Sequence, residues 1–309
     1  MPNVASRPLS GAQWTISAAG HEAVVVEVGG GLRSYRHDGT DYLDGYEPDE
    51  LCPGGAGQVL APWPNRIRDG QYAFGGQSLQ LTLTEPTRSN ALHGLVNWVR
   101  WHLIAQDDDA VTVGYDLPAQ PGYPWPLRLR TRYAVGADGL CVEHEATNVG
   151  AEPCPFGYSM HPYLRLPGVA VDDLALRVPA ELRVLVDGRL LPIGAAPVAG
   201  TDFDYTRPRR IGDAVLDMAF GDVLRDADGG SSVTLAAPDD AAAVHVWADR
   251  EFGWWQVFTG DTLQGERHRR SVAVEPMTCP PDAFRSGKDV ITLEPGDTWR
   301  GVWGIRPGG

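Results

Sequence analysis

The chain has 309 residues, of which 43% are hydrophobic and 21% charged, enough to bury a large core without a disulfide framework or a structural metal. Its formal charge is −14, from 26 Lys and Arg against 40 Asp and Glu. That balance argues against nucleic acid or an anionic membrane as partner, because both are held by clustered cations. The four cysteines, Cys52, Cys141, Cys154 and Cys279, form no CxxC pair, so no zinc site is expected and the thiols are read as free.

The N-terminal stretch MPNVASRPLSGAQWTIS has no apolar run behind basic residues, and no apolar stretch approaches the ~18 residues of a membrane span. A cytoplasmic protein is expected. The 37 glycines and 25 prolines leave few windows for helices. Between them lie runs of period-2 alternation that predict half-buried strands at 21–28, 77–83, 110–117, 127–135, 231–237, 243–249 and 289–305. FGGQS at 74–78 predicts a hairpin turn. In 127–135, Leu127, Leu129, Thr131 and Tyr133 share one face and Arg128, Arg130 and Arg132 the other, the pattern of an antiparallel sheet with one wet face. In the last run Trp299, Gly301, Trp303 and Ile305 share a face. The one helical candidate lies near 209–220. With no strand–helix–strand rhythm, repeat or linker, the chain reads as one all-β domain over 1–309, a large sandwich or barrel.

Five stretches could carry chemistry. In APWPNRIRDG, Pro62 and Pro64 forbid regular structure, so Asn65 and Arg66 sit on a constrained loop, with Arg66 able to fix oxygens bidentately. In NALHG, His93 precedes a glycine that permits a tight turn; it reads as a structural histidine or as part of a site. His102 reads as structural. In PCPFGYSMHPYLRL, Phe156, Tyr158 and Met160 alternate with Gly157, Ser159 and His161, which puts His161 on a small-residue face stopped by Pro162. VEHEATN looks like a metal cluster, yet successive strand residues point to opposite faces, so His144 cannot join Glu143 and Glu145 at one ion. Asp217, between Leu216 and Met218, is expected to be partly buried. In RRSVAVEPMTCPPDAF, Val272 and Val274 alternate with Ser271, Ala273 and Glu275, leaving Glu275 on a small-residue face where prolines end the strand.

PNRIRDGQYAFGGQSLQL, NALHG, LDMAF, QVFTGD and AVEPMTCPPDAF stand in the order seen in aldose 1-epimerases, and the chain resembles that galactose mutarotase family from about residue 28 to residue 305. The resemblance implies a large antiparallel β-sandwich with a sugar cleft. It also implies exchange of the α and β anomers of a free aldose, with neither metal nor other cofactor. Carried over by position, Glu275 is the expected base and His161 the expected acid, while Arg66, His93, Asp217, Asn65 and Gln256 are expected to hold the sugar. Two positions depart from the family's pattern. Met160 precedes the histidine where an Asn is common, with Pro162-Tyr163-Leu164-Arg165 after it, and Leu95 stands where a second glycine is common. Arg165 near the cleft would favour an acidic or phosphorylated sugar. A hexose 6-phosphate epimerase, a glycoside hydrolase and a non-catalytic sugar-binding module are the competing readings.

Overall fold

The structure is a computed structural model that describes residues 7–238 and 241–308. It is built from antiparallel sheets. The largest has nine strands, in the order His102–Gln106, Ala110–Leu117, Leu127–Gly136, Gly139–Asn148, Thr298–Gly308, Ala243–Ala248, Ser231–Ala236, Ala175–Arg177 and Arg209–Arg210. An eight-stranded sheet runs from Pro192–Pro197 through Ala180–Val186, Asp217–Val223, Trp254–Phe258 and Val272–Met277 to the short strands Ser159–Met160 and Val59–Leu60. Tyr163–Leu164 pairs separately with Val272–Met277. A four-stranded sheet, Gln13 to Asp41, packs beside them.

Alternation decides what each sheet buries. Leu127, Leu129, Thr131 and Tyr133 are buried while Arg128, Arg130 and Arg132 are exposed, as their spacing predicts. Val113, Leu129, Val142 and Trp303 from the larger sheet share one buried cluster with Phe220, Val257, Val272 and Val274 from the smaller. The two sheets thus close on a common core, and each large side chain taken from water contributes about 1.5–3 kcal/mol. The opposite face of the eight-stranded sheet is left to carry polar groups. FGGQS forms the expected hairpin, with Gly75 and Gly76 at φ 58° and 78°, a backbone that β-carbon-bearing residues resist.

Three elements differ from their predicted forms. Residues 209–220 hold no helix: Arg209–Arg210 and the start of Asp217–Val223 are strands, because Met218 and Phe220 alternate with Asp217 and Ala219 between two partner strands. The helical turn is Ala283–Ser286, after the paired prolines. The run 289–305 is cut into Ile291–Leu293 and Thr298–Gly308, because Pro295-Gly296 reverses the chain, with Gly296 at φ 85°. Residues 153–161 form two short strands, Cys154–Phe156 and Ser159–Met160, with an irregular step at Gly157. Among the described residues, no helix is long and apolar enough to cross a membrane.

Candidate active site

The outer face of the eight-stranded sheet supplies three acidic or amide side chains from adjacent strands. Val272 and Val274 enter the core, so Ala273 and Glu275 face outward. Gln256 lies directly opposite Glu275 on the neighbouring strand. Asp217 begins the next strand, and Gln256 donates to it, Nε2 to Oδ1, at 2.8 Å.

His161 arrives from the other side. Ser159 pairs with Met277, and Tyr163 with Ala273. Both pairs belong to one register, which sets residue 161 opposite residue 275. Pro162 ends the ladder there without losing the alignment, since its carbonyl accepts from Val274 N at 3.1 Å. The result is His161 Nε2 at 3.3 Å from Glu275 Oε1, with both side chains almost wholly buried. Tyr163 stacks under the imidazole at 4.8 Å, and its hydroxyl donates to Gly54 O.

The loop residues close the site. Asn65 and His93 both adopt positive φ, 53° and 62°, and His93 N donates to Asn65 O at 2.9 Å. Gly94 lets the chain lie directly against Ala61, because a β-carbon there would overlap Ala61 O. The His93 and His161 rings meet edge to face at 5.5 Å. Arg66, expected on the loop, instead begins the short strand Arg66–Arg68 paired with Asn90–Leu92, because its backbone finds a partner at Leu92. Glu85 holds it bidentately at 2.9 and 3.1 Å and is in turn bound by Arg88 and Asn90.

These side chains line one cavity of about 390 Å³, which contains all seven residues named from the sequence: Asn65, Arg66, His93, His161, Asp217, Gln256 and Glu275. His102 is exposed on the edge strand of the other sheet and lies outside it. Arg165 is a correction: it lines a neighbouring cavity of about 1160 Å³ that shares only Gly54 and Leu263 with this one. Arg165 follows the short strand Tyr163–Leu164, and its backbone N donates to Tyr42 O at 3.0 Å, beside Asp41 and Leu43 of the larger cavity's lining. The larger cavity pairs many of its own charges, Arg36 with Glu22, Arg267 with Glu50, and Arg270 with Asp44, and it holds no histidine–carboxylate pair. Gln58, Glu85, Trp98 and Tyr163 also line the smaller cavity and were not singled out from the sequence. Trp98 is the large aromatic at the rim, 53% exposed.

Burial dominates the electrostatics. It raises the Glu275 carboxyl well above the usual carboxylate range, helped by the negative charge of Asp217 and opposed by Arg66. It lowers His161 to about 4 and His93 well below the usual imidazole range, with His161 and Arg66 adding to the latter. Asp217 is raised by burial against the pull of Arg66 and Arg88. Cys52 at the wall is pushed up to about 12, so its thiol stays protonated. Five buried polar atoms in this lining have no protein partner: Gln58 Oε1, His93 Nδ1, His161 Nδ1, Gln256 Oε1 and Glu275 Oε2. His144, by contrast, bonds Thr131 through Nδ1 at 2.6 Å on the buried face of its strand, while Glu143 is exposed on the other.

Residues 12–306 match the aldose 1-epimerase family model. The chain belongs to that family and is an isomerase of the epimerase type. It is 34% identical over 292 residues to the uncharacterized protein YihR of Escherichia coli (strain K12), covering 94% of this chain and 92% of that one. It is 27% identical over 169 residues to galactose mutarotase of Homo sapiens, 52% of this chain and 48% of that one. The solved galactose 1-epimerase of Lactobacillus acidophilus NCFM superposes with a TM-score of 0.80 at 22% identity, over 96% of this chain and 95% of that one.

Proposed function

We propose that this family member is a mutarotase that exchanges the α and β anomers of a free aldose, with Glu275 as base and His161 as acid. The observation that carries this reading is the convergence, in one cavity, of a 3.3 Å Glu–His pair with five buried polar atoms that lack protein partners. A buried polar group without a partner is costly, and sugar hydroxyls supply both donors and acceptors.

The pair shares a single proton: burial holds it on Glu275 at rest, and its passage across the 3.3 Å contact to His161 makes Glu275 the base and His161 the acid. Ring opening moves the C1 hydroxyl proton to Glu275 while His161 gives its proton to the ring oxygen, and the bond from C1 to the ring oxygen breaks. The aldehyde turns about the C1–C2 bond. Closure on its other face returns one proton from Glu275 to O1 and one from the ring hydroxyl to His161, which restores the enzyme. Each well-placed transfer is worth about 10²–10⁴-fold in rate. Burial disfavours both charged forms, so the singly protonated pair spans a wide interval, from about 4 to well above the carboxylate range. In this reading Arg66, fixed by Glu85, and His93 donate to sugar oxygens, Asp217 and Gln256 Oε1 accept from sugar hydroxyls, and Asn65 orders the loop. Trp98 offers an aromatic face to the ring at the rim.

The charge of the lining favours a neutral sugar over a 6-phosphate. Arg66 and Arg88 face three carboxylates, Glu85, Asp217 and Glu275, and both arginines already bind Glu85. The direct pairing of Glu275 with a histidine favours proton shuttling over the two-carboxylate chemistry of a glycoside hydrolase. The test is one panel: free aldoses, their 6-phosphates and nitrophenyl glycosides, followed by NMR of the anomeric protons and by nitrophenol release. Acceleration of anomer exchange on free aldoses alone is expected. Preference for the phosphates, release of nitrophenol, or sugar binding without acceleration overturns the reading in favour of the corresponding alternative.

A further inference from the structure

Gln58 is the cavity residue whose chemistry is least ambiguous. It is fully buried, one residue before the strand Val59–Leu60. Its Nε2 is committed, because it donates to Asn97 O at 2.6 Å. That bond fixes which end of the amide is which, and it leaves Oε1 as the atom with no protein donor. The backbone on either side is tied down: Gln58 N donates to Gly55 O at 3.0 Å, and Gln58 O accepts from His161 N at 3.3 Å.

Gly55 shows where Oε1 points. A β-carbon built on Gly55 would lie 3.9 Å from Gln58 Oε1 and 3.6 Å from His161 Cδ2. The amide oxygen and the imidazole therefore border the same space, at a position where the chain carries no side chain. An amide oxygen only accepts, and it carries no net charge. It rewards a hydroxyl and gives nothing to a deoxy carbon, an ether or a phosphoester oxygen.

We propose that Gln58 is a specificity-determining residue that accepts a hydrogen bond from one particular hydroxyl of the sugar, so that the substrate carries a free hydroxyl at that position. This rests on the aldose reading above. It adds to the residues identified by family position a group whose role follows from geometry alone. Loss of one buried hydrogen bond that leaves an acceptor unpaired corresponds to about 10–100-fold in kcat/KM.

The experiment is a substrate-by-variant matrix: glucose and galactose with their 2-, 3-, 4- and 6-deoxy analogues, on the parent protein and on Gln58→Met, each corrected for spontaneous exchange. The parent is expected to lose about 10–100-fold on one deoxy sugar through this contact. In Gln58→Met that single ratio falls to near unity while the ratios at the other positions stay as they are. A variant that slows every sugar by the same factor, through its backbone link to His161, overturns the proposal. So does a variant that retains all the parent's ratios. If Gln58→Met does not fold, Gln58→Asn withdraws the oxygen by one methylene and is expected to erase the same ratio. A parent that accelerates none of these sugars defeats the aldose reading itself, an outcome visible without any variant.

Discussion

Two histidines, His144 and His161, are alike in almost every local respect and differ in what they can do. Both are buried, at 1% and 5% exposure, both sit on or beside sheet strands, and both stack on a tyrosine, at 3.8 and 4.8 Å. Burial lowers both, to about 3 and about 4. Yet His144 lies in the core between the sheets, against Trp101, Tyr158 and Trp299, and bonds a neutral threonine. His161 lies on the outer face against a carboxylate and lines a cavity. Burial and a depressed titration are therefore common to structural and chemical histidines. A titratable partner and a place in a cavity wall separate them.

The sharpest way to break that comparison is to remove each ring in turn. His161→Asn is expected to slow anomer exchange by about 10²–10⁴-fold, read by polarimetry, with little change in thermal unfolding. A smaller effect follows from pH. Below about 4 His161 takes a second proton beside the already protonated Glu275, the pair can no longer form a carboxylate and an imidazolium, and kcat/KM should fall about tenfold per unit. On the alkaline side the rate should fall only where Glu275 gives up the pair's last proton, well above the ordinary carboxylate range. An acid limb near an ordinary histidine value would contradict the burial argument. Asp217→Asn should act mainly on binding, with a rise of about tenfold in KM and a smaller change in kcat. If it instead costs more rate than His161→Asn, the two roles are exchanged. His144→Phe should leave the exchange rate near the parent's while lowering stability to denaturant by about 1–3 kcal/mol, because Thr131 loses its partner.

What could be read from sequence follows the same division. Alternation alone put Glu275 and His161 on small-residue faces, and it separated His144 from Glu143 and Glu145. These are local facts of a period-2 chain, and the register that sets 161 against 275 preserves them. The prolines around Asn65 signalled a constrained backbone there, and Asn65 adopts positive φ, as His93 does on the facing segment. Other features were invisible because they are made by distant pairs. Gln58 is aimed by the carbonyl of Asn97, and Arg66 by Glu85, neither with any periodic signal. Arg165, four residues from His161, was expected near the sugar and instead faces the adjoining cavity. The helix expected near 209–220 failed because pairing on both sides outweighed local propensity.

The central claim is that Glu275 is the base of a proton-shuttling pair. The measurement that tests it most directly is the rate at which freshly dissolved α-glucose or α-galactose approaches its equilibrium rotation with Glu275→Gln, which keeps the side chain's size and removes its basicity. A fall of about 10²–10⁴-fold at an unchanged unfolding temperature is predicted. A variant as fast as the parent would contradict the account.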